Sequence, residues 1–142
     1  MNTLKIALLQ IAPTGRLEGN LEKGIAACRQ AKAMGADIAL FPEMWSCGYD
    51  ICEPPPAEWL RKAIDLDSSF VADFQALAAE LEMAIAVTLL EQYDLKPRNT
   101  MVLFDRFGER KLVYAKVHTC DFGAEKDLTP GEEFVVTALD TA

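Results

Sequence analysis

Three charged side chains lie where the sequence predicts that β-strands end. Glu43 follows Phe41 and Pro42 at the end of one apolar run. Lys116 ends another run, and Glu125 lies in the loop after it. Sites in open α/β sheets form beyond the carboxyl ends of strands, where a carboxylate can act as a general base and a lysine can stabilise an oxyanion. These three residues are therefore candidate catalytic groups, and the ordinary alternatives are a solvated loop glutamate and an edge-strand lysine.

The first half of the sequence predicts two strands joined by a helix. Leu4–Gln10 and Asp37–Phe41 are short apolar runs that stop near prolines, as buried strands do. Apolar residues recur at steps of three and four from Leu17 to Cys28, which predicts an amphipathic helix. Gly35 follows that helix, where a left-handed C-cap is usual. A strand–helix–strand order with this crossover favours parallel pairing and predicts an α/β fold.

The second half predicts two helices and further strands. A short helix covers Ala57–Ile64, and a longer one covers about Ser69–Glu82, with Ser68 or Ser69 as its cap. Gly108 lies in a turn that joins two of the strands into a hairpin. The predicted strands are Ala84–Leu90, Thr100–Phe104, Lys111–Lys116 and a last short strand, Phe134–Val136.

The stretch from Glu43 to Pro56 has no clear hydrophobic period, and we interpret it as a long loop. Long ordered loops within compact domains are often functional. Trp45 and Tyr49 in this loop are candidates to line or border a pocket mouth, although an ordinary packed loop would use them too.

Composition and charge restrict the class of partner. The 142 residues are 51% hydrophobic and 25% charged, which suits one globular domain or one half of a larger one. The net charge is −8 and no basic stretch offsets it. Because phosphates need clustered cations, we expect no nucleic-acid partner and no anionic membrane surface.

Other patterns bear on compartment and cofactors. The apolar runs are far below the ~18 residues of a membrane span, and the N-terminus carries no signal-peptide pattern, so we expect a cytoplasmic protein. The four cysteines match no zinc spacing, and there is one histidine, which we expect to be packed or at the surface. Since Gly-x-Gly-x-x-Gly and Walker patterns are also absent, we expect neither a metal nor a nucleotide cofactor.

Several segments resemble the nitrilase superfamily of carbon–nitrogen hydrolases. Ala36–Glu43 is similar to the first signature of that family. Arg98–Thr100, the hairpin through Gly108, and Tyr114–His118 resemble its second signature, and Thr129–Gly131 follows at the usual place. The matches keep their order over essentially the whole chain.

The resemblance implies a function and roles for the three candidates. The family acts on non-peptide carbon–nitrogen bonds in amides, nitriles and carbamoyl amines, with a cysteine nucleophile, a glutamate base and a lysine that stabilises the tetrahedral intermediate. The matching residues are Glu43 for the base, Lys116 for the electrostatic group and Glu125 for a second, positioning glutamate. No metal or organic cofactor is implied.

The family nucleophile has no match in this sequence. Its cysteine belongs to a third signature, on a strand beyond the last residue here, so we expect residues 1–142 to form one partial domain that is inactive alone. Cys47 and Cys120 lie four residues after Glu43 and Lys116, but neither has the strand-and-elbow setting of that nucleophile. A substitute nucleophile at Cys120 remains an alternative to an ordinary loop thiol.

The fold that the resemblance implies is a four-layer α-β-β-α sandwich, of which this chain would supply an incomplete, N-terminal part. The sheet face that meets the rest of the sandwich would be apolar, which predicts a homo-oligomer or a separate C-terminal half as partner. The alternative to a hydrolase is a non-catalytic half-domain that acts as a binding or assembly module. A third interpretation is a generic α/β binding domain whose motif matches arise by chance.

Overall fold

The computed structural model describes residues 3–48 and 56–141 and contains one mixed sheet. Its strands are β1 (Ile6–Leu8), β2 (Ile38–Leu40), β3 (Ala84–Glu91), β4 (Arg98–Phe104) and β5 (Arg110–Ala115). They lie side by side in chain order. β1, β2 and β3 are parallel, and β4 and β5 continue as antiparallel neighbours, which confirms the predicted parallel start and hairpin.

Three α-helices and a short 3₁₀ helix accompany the sheet. Their bounds are α1 (Leu17–Ala33), α2 (Pro56–Leu60), α3 (Ser69–Leu81) and the 3₁₀ helix (Gly123–Asp127). α1 and α3 pack on one face of the sheet, where Phe41, Phe74 and Val87 belong to one buried core. Gly35 follows α1 with a φ of +79°, as the sequence predicts.

The opposite face of the sheet is apolar, and α1 and α3 do not cover it; among the described residues, α2 and the 3₁₀ helix pack on it only near Leu90. Side chains alternate between faces along a strand, so the β1–β2–β3 register places Leu8, Leu40 and Ala86 together on this face. Ile6, Leu8 and Leu40 are 51%, 63% and 36% exposed. We call this surface the open face.

Three local predictions differ from the structure. The short helix predicted over Ala57–Ile64 is α2, which ends at Leu60. Residues 134–136 form no strand, because no described strand pairs with them. Phe134 and Val136 are exposed, so their side chains lack the packing contacts that favour a strand. Ser68 is at the N-cap of α3 in extended conformation, but its hydroxyl makes no capping hydrogen bond.

Candidate active site

The loop after β2 presents Glu43 at the end of the strand and is fixed to β3. The Thr88 hydroxyl donates to the Pro42 carbonyl and accepts from the backbone N–H of Trp45 at 3.0 Å. The Ser46 hydroxyl accepts from the backbone N–H of Leu90 at 3.1 Å. These hydrogen bonds attach the loop backbone to β3, as the pairing of a strand would. Glu43 therefore has a defined backbone position, although its side chain is 44% exposed.

Met44, the residue after Glu43, has a φ of +58°. A non-glycine residue in the left-handed region is uncommon and costs conformational energy, so the surrounding contacts must hold it there. The Met44 side chain is fully buried, and its carbonyl accepts from Gly48 N–H at 2.7 Å. The chain therefore turns sharply at the point where it presents Glu43.

Lys116 extends the β5 strand by one residue. Its N–H donates to the Asn99 carbonyl at 2.8 Å, and its carbonyl accepts from Gly131 N–H at 2.9 Å. A Cβ on Gly131 would lie 2.1 Å from the Ala115 carbonyl oxygen, so only glycine allows the backbones to approach this closely. Lys116 is thus held between β4 and the segment that contains Gly131.

Glu125 lies in the 3₁₀ helix rather than in an irregular loop. The neighbouring side chains Ala124 and Leu128 pack into a second apolar cluster with Met44, Trp59 and Leu90. This packing turns Glu125 inward, and its side chain is fully buried.

The structure brings the three predicted residues into direct contact. Lys116 Nζ donates to Glu43 Oε1 at 2.8 Å and to Glu125 Oε1 and Oε2 at 3.0 and 3.2 Å. Glu43 and Lys116 are 73 residues apart in sequence. The fold therefore brings two strand-end residues and one residue of the 3₁₀ helix into one charged cluster.

Asn99 joins the same cluster, and sequence reasoning gave it no role. Its Nδ2 donates to Glu43 Oε1 at 2.6 Å and to Glu125 Oε1 at 3.0 Å. Cys120 also contributes, through a backbone N–H that donates to Glu125 Oε2 at 2.7 Å. The available signal was the Arg98–Thr100 segment of the family resemblance, but a motif does not say where a side chain points.

The surroundings of Glu125 and Lys116 favour their charged forms. Burial alone would raise the pKa of Glu125, but hydrogen bonds from Cys120 N–H, Lys116 and Asn99 outweigh it and lower that pKa to about 2. Burial would lower the pKa of Lys116, but hydrogen bonds and charges from both glutamates raise it above its ordinary value. Two carboxylates and one ammonium leave the cluster with one net negative charge.

The described cysteines differ in their relation to the cluster. Cys28 and Cys47 are buried, and burial raises the pKa of these thiols to about 12 and about 11. Cys120 lies beside the cluster, and its hydrogen bond to Glu125 raises the pKa of its thiol. Because the thiolate is the nucleophilic form, these settings do not activate a thiol. Cys52 is outside the described residues.

The structure tests the sequence predictions for two ring side chains, Trp45 and His118. Trp45 is 1% exposed and packs against Phe41 in the core, with ring centroids 5.3 Å apart, so the interpretation that it borders a pocket mouth is wrong. Tyr49 lies outside the described residues. His118 is exposed, with its ring 6.0 Å from that of Phe134, as expected for a surface histidine.

The charged cluster of Glu43, Lys116, Glu125 and Asn99 lies on the same side of the sheet as the open face. Asn99 pairs with Leu90, which shares a face with Thr88 and Ala86. A cleft of about 410 Å³ lies on the other, helix-bearing face, against Arg98, Val113 and Ala115, and none of the three predicted site residues lines it. The cluster therefore lies on the face of the sheet opposite α1 and α3.

Two further surveys cover residues 3–48 and 56–141. No group of three or more His, Cys, Asp or Glu side chains in these ranges is placed to hold a metal ion. No helix in the same ranges combines the length and apolar character needed to cross a bilayer.

A mixed sheet with α1 and α3 on one face, and a Glu–Lys–Glu cluster beyond the ends of β2 and β5, defines an α/β fold of the nitrilase type. A CN-hydrolase superfamily protein from Xanthomonas campestris has this fold, with a TM-score of 0.83 over 99% of this chain and 51% of that one, at 24% identity. The family model for carbon-nitrogen hydrolases matches residues 5–140. The chain belongs to the carbon-nitrogen hydrolase family.

Curated relatives share this region as part of longer proteins. A glutamine-dependent NAD(+) synthetase from Thermotoga maritima is 29% identical over 144 residues, which cover 98% of this chain and 24% of the relative. An N-carbamoylputrescine amidase from Arabidopsis thaliana is 27% identical over 117 residues, covering 82% and 39%. The chain thus spans less than half the length of these relatives.

Proposed function

We propose that this protein hydrolyses non-peptide carbon–nitrogen bonds in small amides, nitriles or carbamoyl amines by a cysteine–glutamate–lysine mechanism. One observation carries the proposal: Lys116 Nζ bridges Glu43 and Glu125 at 2.8 and 3.0 Å at the end of β5. A cation held between two carboxylates, one accessible and one buried, supplies both a proton acceptor and a fixed positive charge. Family membership supplies the reaction class.

In this mechanism Glu43 is the general base. Its carboxylate is 44% exposed and so can reach a thiol or a water, whereas Glu125 is fully buried. Glu43 takes the thiol proton as the sulfur attacks the carbonyl carbon, and it passes the proton to the departing amine. It then removes a proton from the water that hydrolyses the thioester, which releases the acid and restores the thiol.

Lys116 stabilises the oxyanion of each tetrahedral intermediate. Both glutamates raise its pKa, so the side chain carries its charge at neutral pH and does not need to gain a proton during the reaction. Glu125 holds that ammonium in place and remains ionised, since its pKa is about 2. Glu125 is therefore a positioning residue in this proposal.

We place the nucleophilic thiol outside residues 1–142, in a part of the protein that covers the open face. Support comes from the raised pKa values of Cys28, Cys47 and Cys120, and from the greater length of the curated relatives. In this proposal residues 1–142 are one partial domain that turns over no substrate alone. The exposed Ile6, Leu8 and Leu40 pack against a second sheet that completes an α-β-β-α sandwich.

A second candidate function is a non-catalytic binding or assembly module. The exposed apolar side chains of the open face favour it, because an apolar sheet face in water promotes association. It predicts a homo-oligomer, in which a second copy of the chain covers the open face. The two differ in turnover, so an activity assay separates them.

The deciding experiment uses the intact protein, by which we mean residues 1–142 together with the part proposed to carry the thiol. It measures ammonia release from a panel of small amides, nitriles and carbamoyl amines. We expect turnover of at least one class and complete loss after alkylation with iodoacetamide. The matched variant Cys120→Ser should keep its activity and remain sensitive to alkylation. Turnover that resists alkylation would contradict the thiol mechanism, and loss of turnover in Cys120→Ser would contradict a nucleophile elsewhere.

A further inference from the structure

We propose that Asn99 is a positioning residue that restrains the separation of Glu43 and Glu125 and holds their carboxylates beside Lys116. The kinetic consequence rests on the proposed function of Glu43. The structural consequence, the ionisation of Glu125, does not depend on that function.

The argument begins with a closed ring of hydrogen bonds. Lys116 Nζ and Asn99 Nδ2 each donate to both Glu43 Oε1 and Glu125 Oε1. The four N–O distances around the ring are 2.8, 3.0, 3.0 and 2.6 Å. Two donors that share the same two acceptors restrain the separation of those acceptors more than a single bridging lysine would.

The chemistry of an amide suits this position. The –NH₂ group of asparagine has two hydrogens and no charge, so it can bridge two carboxylates without neutralising either. A second lysine would cancel the net negative charge of the cluster and weaken its proton acceptor. An aspartate would add a third carboxylate around one ammonium and raise the cost of ionising all three.

Asn99 is also rigid and in contact with all three charged residues. It lies within β4, is 7% exposed, and pairs with Leu90 of β3. Its backbone carbonyl accepts the N–H of Lys116 at 2.8 Å. One strand residue therefore fixes the lysine through its backbone and both glutamates through its side chain.

This arrangement has a consequence for Glu43. Among the residues that the structure describes, the hydrogen bonds to Glu43 all end on Oε1. Oε2 is then the oxygen that can exchange a proton with a nucleophile or a substrate. Asn99 restrains the rotation of the carboxyl group by holding Oε1, and so determines where Oε2 points.

The test is a titration of the glutamate side-chain carboxyls in the intact protein, labelled with ¹³C-glutamate and followed by NMR from pH 2 to pH 8. The Glu125 signal is assigned from its loss in Glu125→Gln. The variant Asn99→Leu keeps the size of the side chain and removes both donors. We expect it to raise the pKa of Glu125 by about 1 or more, because a carboxylate loses one of its donors. Asn99→Asp, which also keeps the shape, should raise it further.

The kinetic measurement uses the same proteins. We expect Asn99→Leu to lower kcat by roughly 10- to 100-fold with little change in KM, since a misplaced base affects the chemical step more than binding. The matched control is Thr100→Val, the next residue of β4, which is 1% exposed and donates to Glu91 at 2.5 Å. It removes an equally buried hydrogen bond on the opposite face and should leave the Glu125 titration and the kcat unchanged.

The outcomes separate the two proposals. A raised Glu125 pKa in Asn99→Leu but not in Thr100→Val supports the positioning role, even if the wild-type protein hydrolyses nothing and the proposed function fails. An unchanged Glu125 pKa in both Asn99 variants overturns the role. If Asn99→Leu does not fold, Asn99→Asp decides the same titration. Equal loss of kcat in Asn99→Leu and Thr100→Val would show that both variants act by general destabilisation. That result would also overturn the positioning role of Asn99.

Discussion

Glu43 and Glu125 accept hydrogen bonds from the same two side chains, Lys116 and Asn99, but they lie in different surroundings. Glu43 stands on a loop, is 44% exposed, and receives hydrogen bonds on one oxygen. Glu125 lies in a 3₁₀ helix, is fully buried, and receives hydrogen bonds on both oxygens. Position and solvation, rather than the type of residue, separate a carboxylate suited to proton exchange from one suited to holding a charge.

The origin of the difference lies in the elements that carry the two residues. Hydrogen bonds to the Thr88 and Ser46 hydroxyls attach the loop to β3 but leave the Glu43 side chain accessible. Apolar packing of Ala124 and Leu128 turns the Glu125 side chain into the protein. The comparison predicts that changes at Glu43 affect turnover, and that changes at Glu125 affect stability first.

The largest effect is expected at Glu43. Glu43→Gln keeps an oxygen that accepts from Lys116 and Asn99 but cannot take a proton, so we expect kcat to fall by about a thousandfold while the melting temperature barely changes. Ammonia release and a thermal melt check both expectations. The control is Glu80→Gln, the same change at a 55%-exposed glutamate paired with Arg29, which should leave both values unaltered. A fully active Glu43→Gln protein would remove the base assignment.

The converse result is expected at Glu125. Glu125→Gln leaves the Lys116 ammonium without its buried partner, and breaking such a pair costs about 3 kcal/mol or more. Urea unfolding should show this loss, together with a decrease in kcat of roughly tenfold because Lys116 is less well held. If Glu125→Gln is as stable as the wild-type protein, the buried carboxylate does not anchor the cluster.

Acid should destabilise the protein through the same residue. The pKa of Glu125 in the folded protein is about 2, below its ordinary value of 4.5. Its contribution to stability is therefore complete above about pH 4.5 and is lost as the pH falls toward 2, because the unfolded chain binds a proton that the folded protein does not. The expected loss is on the order of 3 kcal/mol, measured by urea unfolding between pH 6 and pH 2.5. Glu125→Gln should show a smaller loss over this range, and an identical loss would attribute it to other carboxyls.

The smallest effect is expected at Gly131, which bears on Lys116 and not on either glutamate. In Gly131→Ala the new methyl group meets the Ala115 carbonyl oxygen and displaces the segment that binds Lys116. We expect a loss of about 2 kcal/mol in unfolding free energy. Where space allows, replacing glycine with alanine stabilises a protein, so the sign of the change is decisive. A more stable Gly131→Ala protein would show that the close approach is not required.

The sequence predicted the parts of the site that depend on local patterns. Glu43 and Lys116 follow apolar runs that do form strands, and Gly108 marks a turn that does join β4 to β5. The parallel pairing of β1 and β2 also follows from the order of elements. The family resemblance implies the roles of Glu43, Lys116 and Glu125.

Local sequence patterns do not predict contacts between distant segments of the chain. Asn99 precedes the predicted strand Thr100–Phe104, and only the register of the longer β4 against β3 places its side chain beside two glutamates. Trp45 is in a segment without a helical or strand period, so its burial depends on α1 and α3 packing around it. Phe134–Val136 has strand-like composition, but a strand needs a neighbour, which composition does not supply.

Chemical rescue by formate tests the separate roles of the two carboxylates most directly. Removing the side chain in Glu43→Ala leaves a half-exposed space that a small carboxylate can enter from solvent, whereas the space left in Glu125→Ala is buried. We predict that formate raises the ammonia release of Glu43→Ala by at least about tenfold in a concentration-dependent manner and leaves Glu125→Ala unchanged. Rescue of Glu125→Ala, or failure of any formate concentration to rescue a folded Glu43→Ala, would contradict the assignment of proton exchange to Glu43.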